Sequence, residues 1–404
     1  MLSVHTCPLA TLGGKKTGGM NVYIKELTRA LGQRQIGVDI FTHCEHKDHA
    51  DTKPLDPKGQ VIHIPSGPQK NLQPMDIYPH LQQFTKNVIR HEQHTKRNYS
   101  LIHSHYWLSG LVALKLKSHW HIPVIQTFHT LERVKNKYLS PTDPSSAALR
   151  SNAEQYLVNQ VDHILVSTQD EKHHLVNLYQ ASPDKITIIP PGVDTQKFHP
   201  IPQAKARQHL SLPPNTHLLL FVGRIEPLKG LHTLLKALHL LQPTPNLSLA
   251  IIGGGDDPDN DLELNRIKQL AQNLHLNNLA IFLGSKNQDN LPYYYSAADM
   301  TIIPSSYESF SLVALESMAC ATPVIASDVG GLKTLVKHHQ TGLLIPSNQP
   351  QPLAKAIHLL LSHPDFKASL GDTAHSQAQA YSWHKLTPKF IHLYLRVISD
   401  TIKA

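Results

Sequence analysis

Short β-branched or apolar runs alternate with helical stretches along almost the whole chain, and this alternation admits few folds. It is the pattern of βαβ units, which build parallel sheets covered by helices. In the first half the strand expectations fall at 38–42, 61–64, 101–103, 123–127, 163–167 and 186–189, with helical periodicity at 22–34 and 79–92. The stretch 190–202 carries four prolines and one glycine and marks a connector. A second series follows at 218–222, 247–252, 280–283, 300–303, 323–326 and 342–345, with helices at 230–241, 262–274 and 311–319. The expectation is an α/β chain of two doubly wound, Rossmann-like halves, 1–195 and 196–382. Ligands would sit in a cleft at the carboxyl ends of both sheets. The amphipathic segment 383–404 is expected to pack back on the first half.

Length agrees with two units, since 404 residues exceed one ordinary core. A net charge of +8 suits anionic ligands. Lys and Arg are scattered, without a basic tract interleaved with aromatics, so nucleic acid is not an expected partner. Three cysteines, Cys7, Cys44 and Cys320, form no CxxC pair, which fits a reducing cytosol and argues against a disulfide framework or zinc site. No apolar run is long enough to span a bilayer, and no signal peptide opens the chain. The expected setting is cytoplasmic; the basic charge also permits peripheral contact at the inner face of the membrane. Leu2-Ser3-Val4 has the character of a strand end, so the natural start is expected to lie upstream.

Four stretches carry candidate chemistry. Glu308 and Glu316 bracket Ser309-Phe310-Ser311-Leu312 after the strand at 300–303. Amides at a helix start there can receive an anion or hydroxyls, and two carboxylates at different depths suit a sugar and a ribose. Alternatively, Glu308 is only a first-turn acid favoured by the helix dipole. The stretch Gly223-Arg224 to Lys229-Gly230 follows the strand at 218–222 and offers a guanidinium fork and an ammonium to phosphate oxygens. It lacks the Gly-Lys-Ser/Thr of a Walker loop, and a merely solvated Lys229 is the competing reading. Thr17-Gly18-Gly19-Met20-Asn21 is a turn opening a helix, a phosphate cradle in form but a weak signal alone. Finally His103-Ser104-His105-Tyr106-Trp107 and His129-Thr130 lie at strand ends. Scattered histidines without an acidic partner make a poor metal site, so no metal is expected.

Together these stretches resemble the family-4 glycosyltransferases of the GT-B fold, which are retaining enzymes. The matching residues run in order through Ser3–Thr6, Gly18–Tyr23, His103–Gly110, His129–Leu131 with Val134–Asn136, Pro191–Asp194, Gly223-Arg224, Lys229-Gly230, Ala298-Asp299, Glu308–Glu316 and Val329–Gly331. Within the family the first-half residues are nearest the subgroup acting on D-inositol 3-phosphate, with sucrose-phosphate synthases more distant. The resemblance implies an acceptor-binding first domain, a nucleotide-sugar-binding second domain, and no cofactor or metal. Arg224, Lys229 and the Gly19 amide would hold the donor diphosphate. Glu308 and the amides from Ser309 to Leu312, with Phe310 and Ser311 between, would hold the transferred sugar, and Glu316 the ribose. His129 would sit beside the reacting centre. The partners implied are a UDP-sugar donor and a small phosphorylated polyol or sugar acceptor, and a homodimer would be unsurprising. Asn21, Tyr106, Thr130 and Arg150 fall on the acceptor side. Three departures stand out. The family's phosphate-binding lysine falls near Pro74, the acid before the glycine pair is Lys16, and the glycine after Glu-Ser-Phe is Ser311. Lys16 (or Lys15) is therefore the expected substitute cation for the acceptor.

Overall fold

The computed structural model describes residues 1–10, 17–45, 52–70, 72–138, 143–254 and 261–403. They divide into two compact units. The first comprises Met1–Ala10, Met20–Gly192 and Trp383–Ala404; the second comprises Thr11–Gly19, of which 17–19 are described, and Val193–Ser382.

In the first unit the strands are β1 (Val38–His43), β2 (Thr52–Asp56), β3 (Gly59–Ile64), β4 (Ile102–His105), β5 (Val124–Thr127), β6 (His163–Val166) and β7 (Ile186–Ile188). They pair in the orders β1-β3-β2 and β4-β5-β6-β7, parallel throughout except that β2 runs against β3. The chain start joins the two sets. Leu2 N–H donates to His103 O and Leu2 O accepts from His105 N, while Ser3 N–H donates to Phe41 O and Met1 O accepts from Phe41 N, all at 3.0 Å. Leu2 is thus bridged, in parallel, to both β1 and β4, and the buried residues Leu2–Val4 lie between them. The added strand β2 reads Thr-Lys-Pro-Leu-Asp and is partly exposed. It has no apolar run to announce it, and its proline is tolerated because β2 lies at a sheet edge.

The helix Trp383–Lys403 belongs to this unit. Its Tyr394 hydroxyl meets His103 Nδ1 at 2.8 Å. Trp383 and Phe390 lay their rings against Tyr23, with centroids 5.9 and 6.3 Å away. The apolar side of this helix completes the core.

The second unit is a six-stranded parallel sheet of order β10-β9-β8-β11-β12-β13. Its strands are β8 (His217–Val222), β9 (Leu247–Ile252), β10 (Ala280–Gly284), β11 (Met300–Ile303), β12 (Val324–Ser327) and β13 (Gly342–Ile345). Strand side chains alternate between faces. Leu219, Phe221 and Ile251 enter one core with helices Leu231–Leu240 and Pro350–Ser362; Leu218, Leu220 and Ile252 enter the other with Leu312–Ala319. Burial on both faces is why these strands are continuous apolar runs. The chain starts at the sheet's middle and winds outward first past β9, then past β11. The connections leaving β8 and β11 therefore diverge, opening a crevice at their carboxyl ends.

Candidate active site

That crevice holds Arg224, Lys229 and Glu308. After β8 the chain turns through Gly223-Arg224 into a short 3-10 turn, Pro227–Lys229. Gly230 then adopts φ +69° and starts the helix Leu231–Leu240. Glu308 arrives from the β11 loop. Its Oε1 lies 2.6 Å from Lys229 Nζ and accepts the Ser305 hydroxyl at 3.0 Å. Arg224 is held by Glu226, Nη1 to Oε1 at 2.5 Å. The cation–carboxylate pair is side by side because β8 and β11 are neighbouring strands, although the residues are 79 apart in sequence.

The turn carrying Glu308 is braced by Val329–Gly331. Gly331 N–H donates to Glu308 O at 2.8 Å. A Cβ on Gly330 (φ +44°) would come within 2.0 Å of Glu308 O, and one on Gly331 within 2.3 Å of Ser309 O. Side chains larger than glycine would push this turn away. Phe310 is buried in the core and fixes the turn from below. Ser311 has φ +91° and caps the helix Leu312–Ala319, its hydroxyl accepting from Ala314 N at 3.3 Å. The first-turn amides of Leu312 and Val313 remain beyond that cap, next to Glu308 in the chain.

Glu316, buried on the same helix, accepts the Tyr295 hydroxyl at 2.9 Å and the Gln288 amide at 3.3 Å. Burial first, and Glu316 second, push the Tyr295 phenol well above its usual range, so it stays a donor. Thr17–Gly19 groups with this unit: a Cβ on Gly18 would lie 3.6 Å from Arg224 Nε, and one on Gly19 3.6 Å from Leu312 Cδ1. The sequence did not single out Ser305, Tyr295, Gln288 or Glu226. Ser305 had a signal in its place three residues before Glu308; Tyr295 and Gln288 had none.

The acceptor-side candidates gather at strand ends of the first unit. Tyr106 (φ +74°) begins the helix Tyr106–Trp120 after β4. His129 (φ +61°) and Thr130 follow β5, and Arg150 comes from the helix Pro144–Gln160. Arg150 Nη2 donates to both Thr130 O (3.0 Å) and Thr130 Oγ1 (2.9 Å), and its guanidinium carbon lies 4.8 Å from the Tyr106 ring centre. Three of the expected residues are thereby brought together. His129 Nε2 meets His105 Nδ1 at 3.1 Å, and its ring stands edge-on to Tyr23. Burial pushes His129 down to about 3, and with neighbouring histidines and the amino terminus holds His103 and His105 well below the usual range. All three rings are neutral at physiological pH. Asn21 is fully buried, and its amide donates to Thr6 Oγ1 and Cys7 O, both at 2.8 Å. That bonding shapes the loop after the first strand. Lys16 lies outside the described residues. Among the described residues no group of three or more His, Cys, Asp or Glu is placed to hold a metal, and no helix is long and apolar enough to cross a membrane.

Two doubly wound units, with paired cation and carboxylate at the switch point of the second, define the GT-B class of glycosyltransferases. Sucrose-phosphate synthase from Thermosynechococcus elongatus superposes with a TM-score of 0.91, at 32% identity over 99% of this chain and 98% of that one. HepE from Anabaena, solved in complex with UDP and glucose, shares the fold at a TM-score of 0.77 and 19% identity over 97% of each chain. The model for Glycosyltransferase Family 4 matches residues 17–197 and that for Glycosyl transferases group 1 matches 202–377. D-inositol 3-phosphate glycosyltransferase of Saccharomonospora viridis is 38% identical over 98% of this chain and 93% of its own length. Its counterpart in Thermobispora bispora is 37% identical over 98% and 94%. The chain belongs to this glycosyltransferase family.

Proposed function

We propose that the enzyme transfers a sugar from a nucleoside diphosphate donor, a UDP-sugar, to a hydroxyl of a small polyol or sugar, with retention at the anomeric carbon. The observation that carries this reading is the Lys229–Glu308 pair, steadied by Ser305, at the crevice where β8 and β11 diverge. The names of the relatives and the UDP found with HepE support it.

In this reading Arg224 and Lys229 take the diphosphate oxygens, and the Gly19 amide adds a neutral donor. Glu308 and the Ser309–Leu312 amides take the hydroxyls of the transferred sugar, and Glu316 takes the ribose. As the bond from the anomeric carbon to the diphosphate oxygen breaks, its electron pair passes to the leaving phosphate. Arg224 and Lys229 lie where that negative charge grows, a preorganised electrostatic role. The acceptor oxygen attacks from the same face and its proton passes to the departing phosphate oxygen. Neutral His129 serves as a hydrogen-bonding group beside the sugar, and no step calls for a metal. Release of nucleoside diphosphate across UDP-, GDP- and ADP-sugars, with and without acceptors, tests the proposal. NMR of the product anomer tests retention. Acceptor-stimulated release with one donor supports it; no binding and no turnover with any donor would overturn it. Given the likeness to sucrose-phosphate synthase, fructose 6-phosphate belongs among the acceptors tried.

A further inference from the structure

We infer that His105 is a positioning residue for His129: its Nδ1–H donates to His129 Nε2 and so holds the second ring as the Nδ1–H tautomer, a donor to a hydroxyl of the transferred sugar. The inference rests on the transferase reading and adds to it the group that orients His129. It starts from the strand ends that bring the two rings together.

His105 closes β4 and pairs in register with Thr127, the last residue of β5. His129 follows directly after, where a backbone at φ +61° breaks away from the strand direction. The parallel register therefore sets the two rings side by side, Nδ1 of His105 at 3.1 Å from Nε2 of His129. His105 has no room to turn away. It is fully buried, with the His103 ring centre 4.2 Å from its own and the Tyr23 ring edge-on at 5.7 Å. His129 stands edge-on to the same tyrosine at 5.4 Å. Tyr23 is held in turn by Trp383 and Phe390. The pair is thus fixed in geometry, and the open question is the proton between the rings.

Burial keeps both histidines neutral, so each ring carries one N–H and one lone pair. The proton on the line between them comes either from His105 Nδ1 or from His129 Nε2. His105 Nε2 decides which. It is buried and has no hydrogen-bond partner among the described residues. Were His129 the donor, the proton of His105 would sit on that nitrogen as a buried N–H without an acceptor. An orphaned buried donor is rarer than an under-used acceptor, and leaving one unmet is costly. The proton therefore comes from His105 Nδ1. The one N–H of His129 is then on Nδ1, a nitrogen that meets no described residue. His103 is compatible with this arrangement. Its two nitrogens meet the hydroxyls of Tyr394 and Thr127, at 2.8 and 2.9 Å, and a hydroxyl can give or take. The bond made by one imidazole nitrogen thus fixes what the other presents. Positive charge grows on the sugar ring as its bond to the diphosphate breaks, and a neutral N–H holds a hydroxyl there without adding charge against it.

Long-range proton–nitrogen spectra of the full-length enzyme, made with isotope-labelled histidine, show which nitrogen of each ring is protonated. The His129 signals are those lost in His129→Asn. The expected result is a proton on Nδ1 of both His105 and His129. His105→Phe keeps a ring and removes the donor, so His129 should no longer be held in that one tautomer. In the same variant kcat with the best UDP-sugar should fall about tenfold, the scale of one hydrogen bond. His105→Asn sets an amide nitrogen near the place of Nδ1 and should recover most of that loss, which a role confined to packing would not. A wild-type spectrum with the His129 proton on Nε2 would overturn the inference. So would a folded His105→Phe enzyme with the wild-type kcat or the wild-type His129 spectrum, or an asparagine variant no better than the phenylalanine one. If His105→Phe does not fold, the wild-type spectrum and His105→Asn decide alone. Absence of turnover with every donor would remove the transferase reading, and the spectra would still decide whether His105 sets the tautomer of His129.

Discussion

Ser311 holds a backbone conformation that side chains seldom adopt, φ +91° and ψ 91°, at the entrance to the helix Leu312–Ala319. Such a residue is strained by about 1–3 kcal/mol. Ser311→Gly removes that strain. Against this stand about 0.4–1 kcal/mol of extra unfolded-state freedom and a few tenths for the cap from Ser311 Oγ to Ala314 N. The balance is stabilisation of roughly 1 kcal/mol. Ser311→Ala keeps the strain and loses the cap, a destabilisation of about 1 kcal/mol. For a unit of this size 1 kcal/mol moves the melting temperature by about 2–4 °C. The two variants should therefore melt about 4–8 °C apart, glycine above alanine with wild type between, in the calorimetric transition of the second unit. A glycine variant melting at or below the alanine variant would show that Ser311 is unstrained and that this account of the turn is wrong.

Lys229→Met removes the ammonium beside Glu308, and if Lys229 holds the diphosphate as proposed, loss of one charge-assisted hydrogen bond should lower kcat/KM about 10–100-fold; unchanged donor kinetics would take Lys229 out of the site. Tyr295→Phe withdraws a hydroxyl from buried Glu316 and should destabilise the second unit by about 1–3 kcal/mol while weakening nucleoside diphosphate binding, as read by calorimetry and titration; a variant as stable as wild type would argue that the carboxylate is satisfied without it. Stability should also rise with pH between 4.5 and 6.5. The unfolded chain protonates His103, His105 and His129 below 6.5, and the folded one refuses these protons, His129 down to about 3. Buried Glu171, raised from 4.5 to about 7, works oppositely by holding one extra proton when folded. Three protons outweigh one. Thermal unfolding at pH 5 and pH 7 at constant ionic strength checks the sign, and a higher melting temperature at pH 5 would contradict it.

The strands were legible wherever both faces are buried, because a parallel strand covered on both sides is a continuous apolar run. Strands β8, β9, β11 and β12 of the second unit are the clearest cases, whereas the edge strand β10 exposes Ile281 and was legible from its short apolar run. The edge strand β2 was not: with Lys53, Pro54 and Asp56 in five residues it has neither an apolar run nor strict alternation. The domain division falls at Gly192/Val193 and Ser382/Trp383, close to the proline-rich connector, since prolines and glycine end elements without belonging to a core. That the glycine turn at 17–19 groups with the second unit had no local signal.

The candidate residues of the two units differed in legibility for a physical reason. Donor-side residues are presented by two short loops at adjacent strand ends, so each loop's chemistry is written contiguously, from Gly223 to Gly230 and from Glu308 to Glu316. What those loops need for support is not contiguous. Tyr295 and Gln288 reach Glu316 from another helix and its approach. The acceptor side depends on such support altogether. Arg150 in isolation is a free cation that invites a phosphate. Only folding sets Glu132, 18 residues upstream, against one edge of its guanidinium and Glu154, one helical turn on, against another. The residue type is legible in the sequence, whereas its packed neighbours become visible only in the fold.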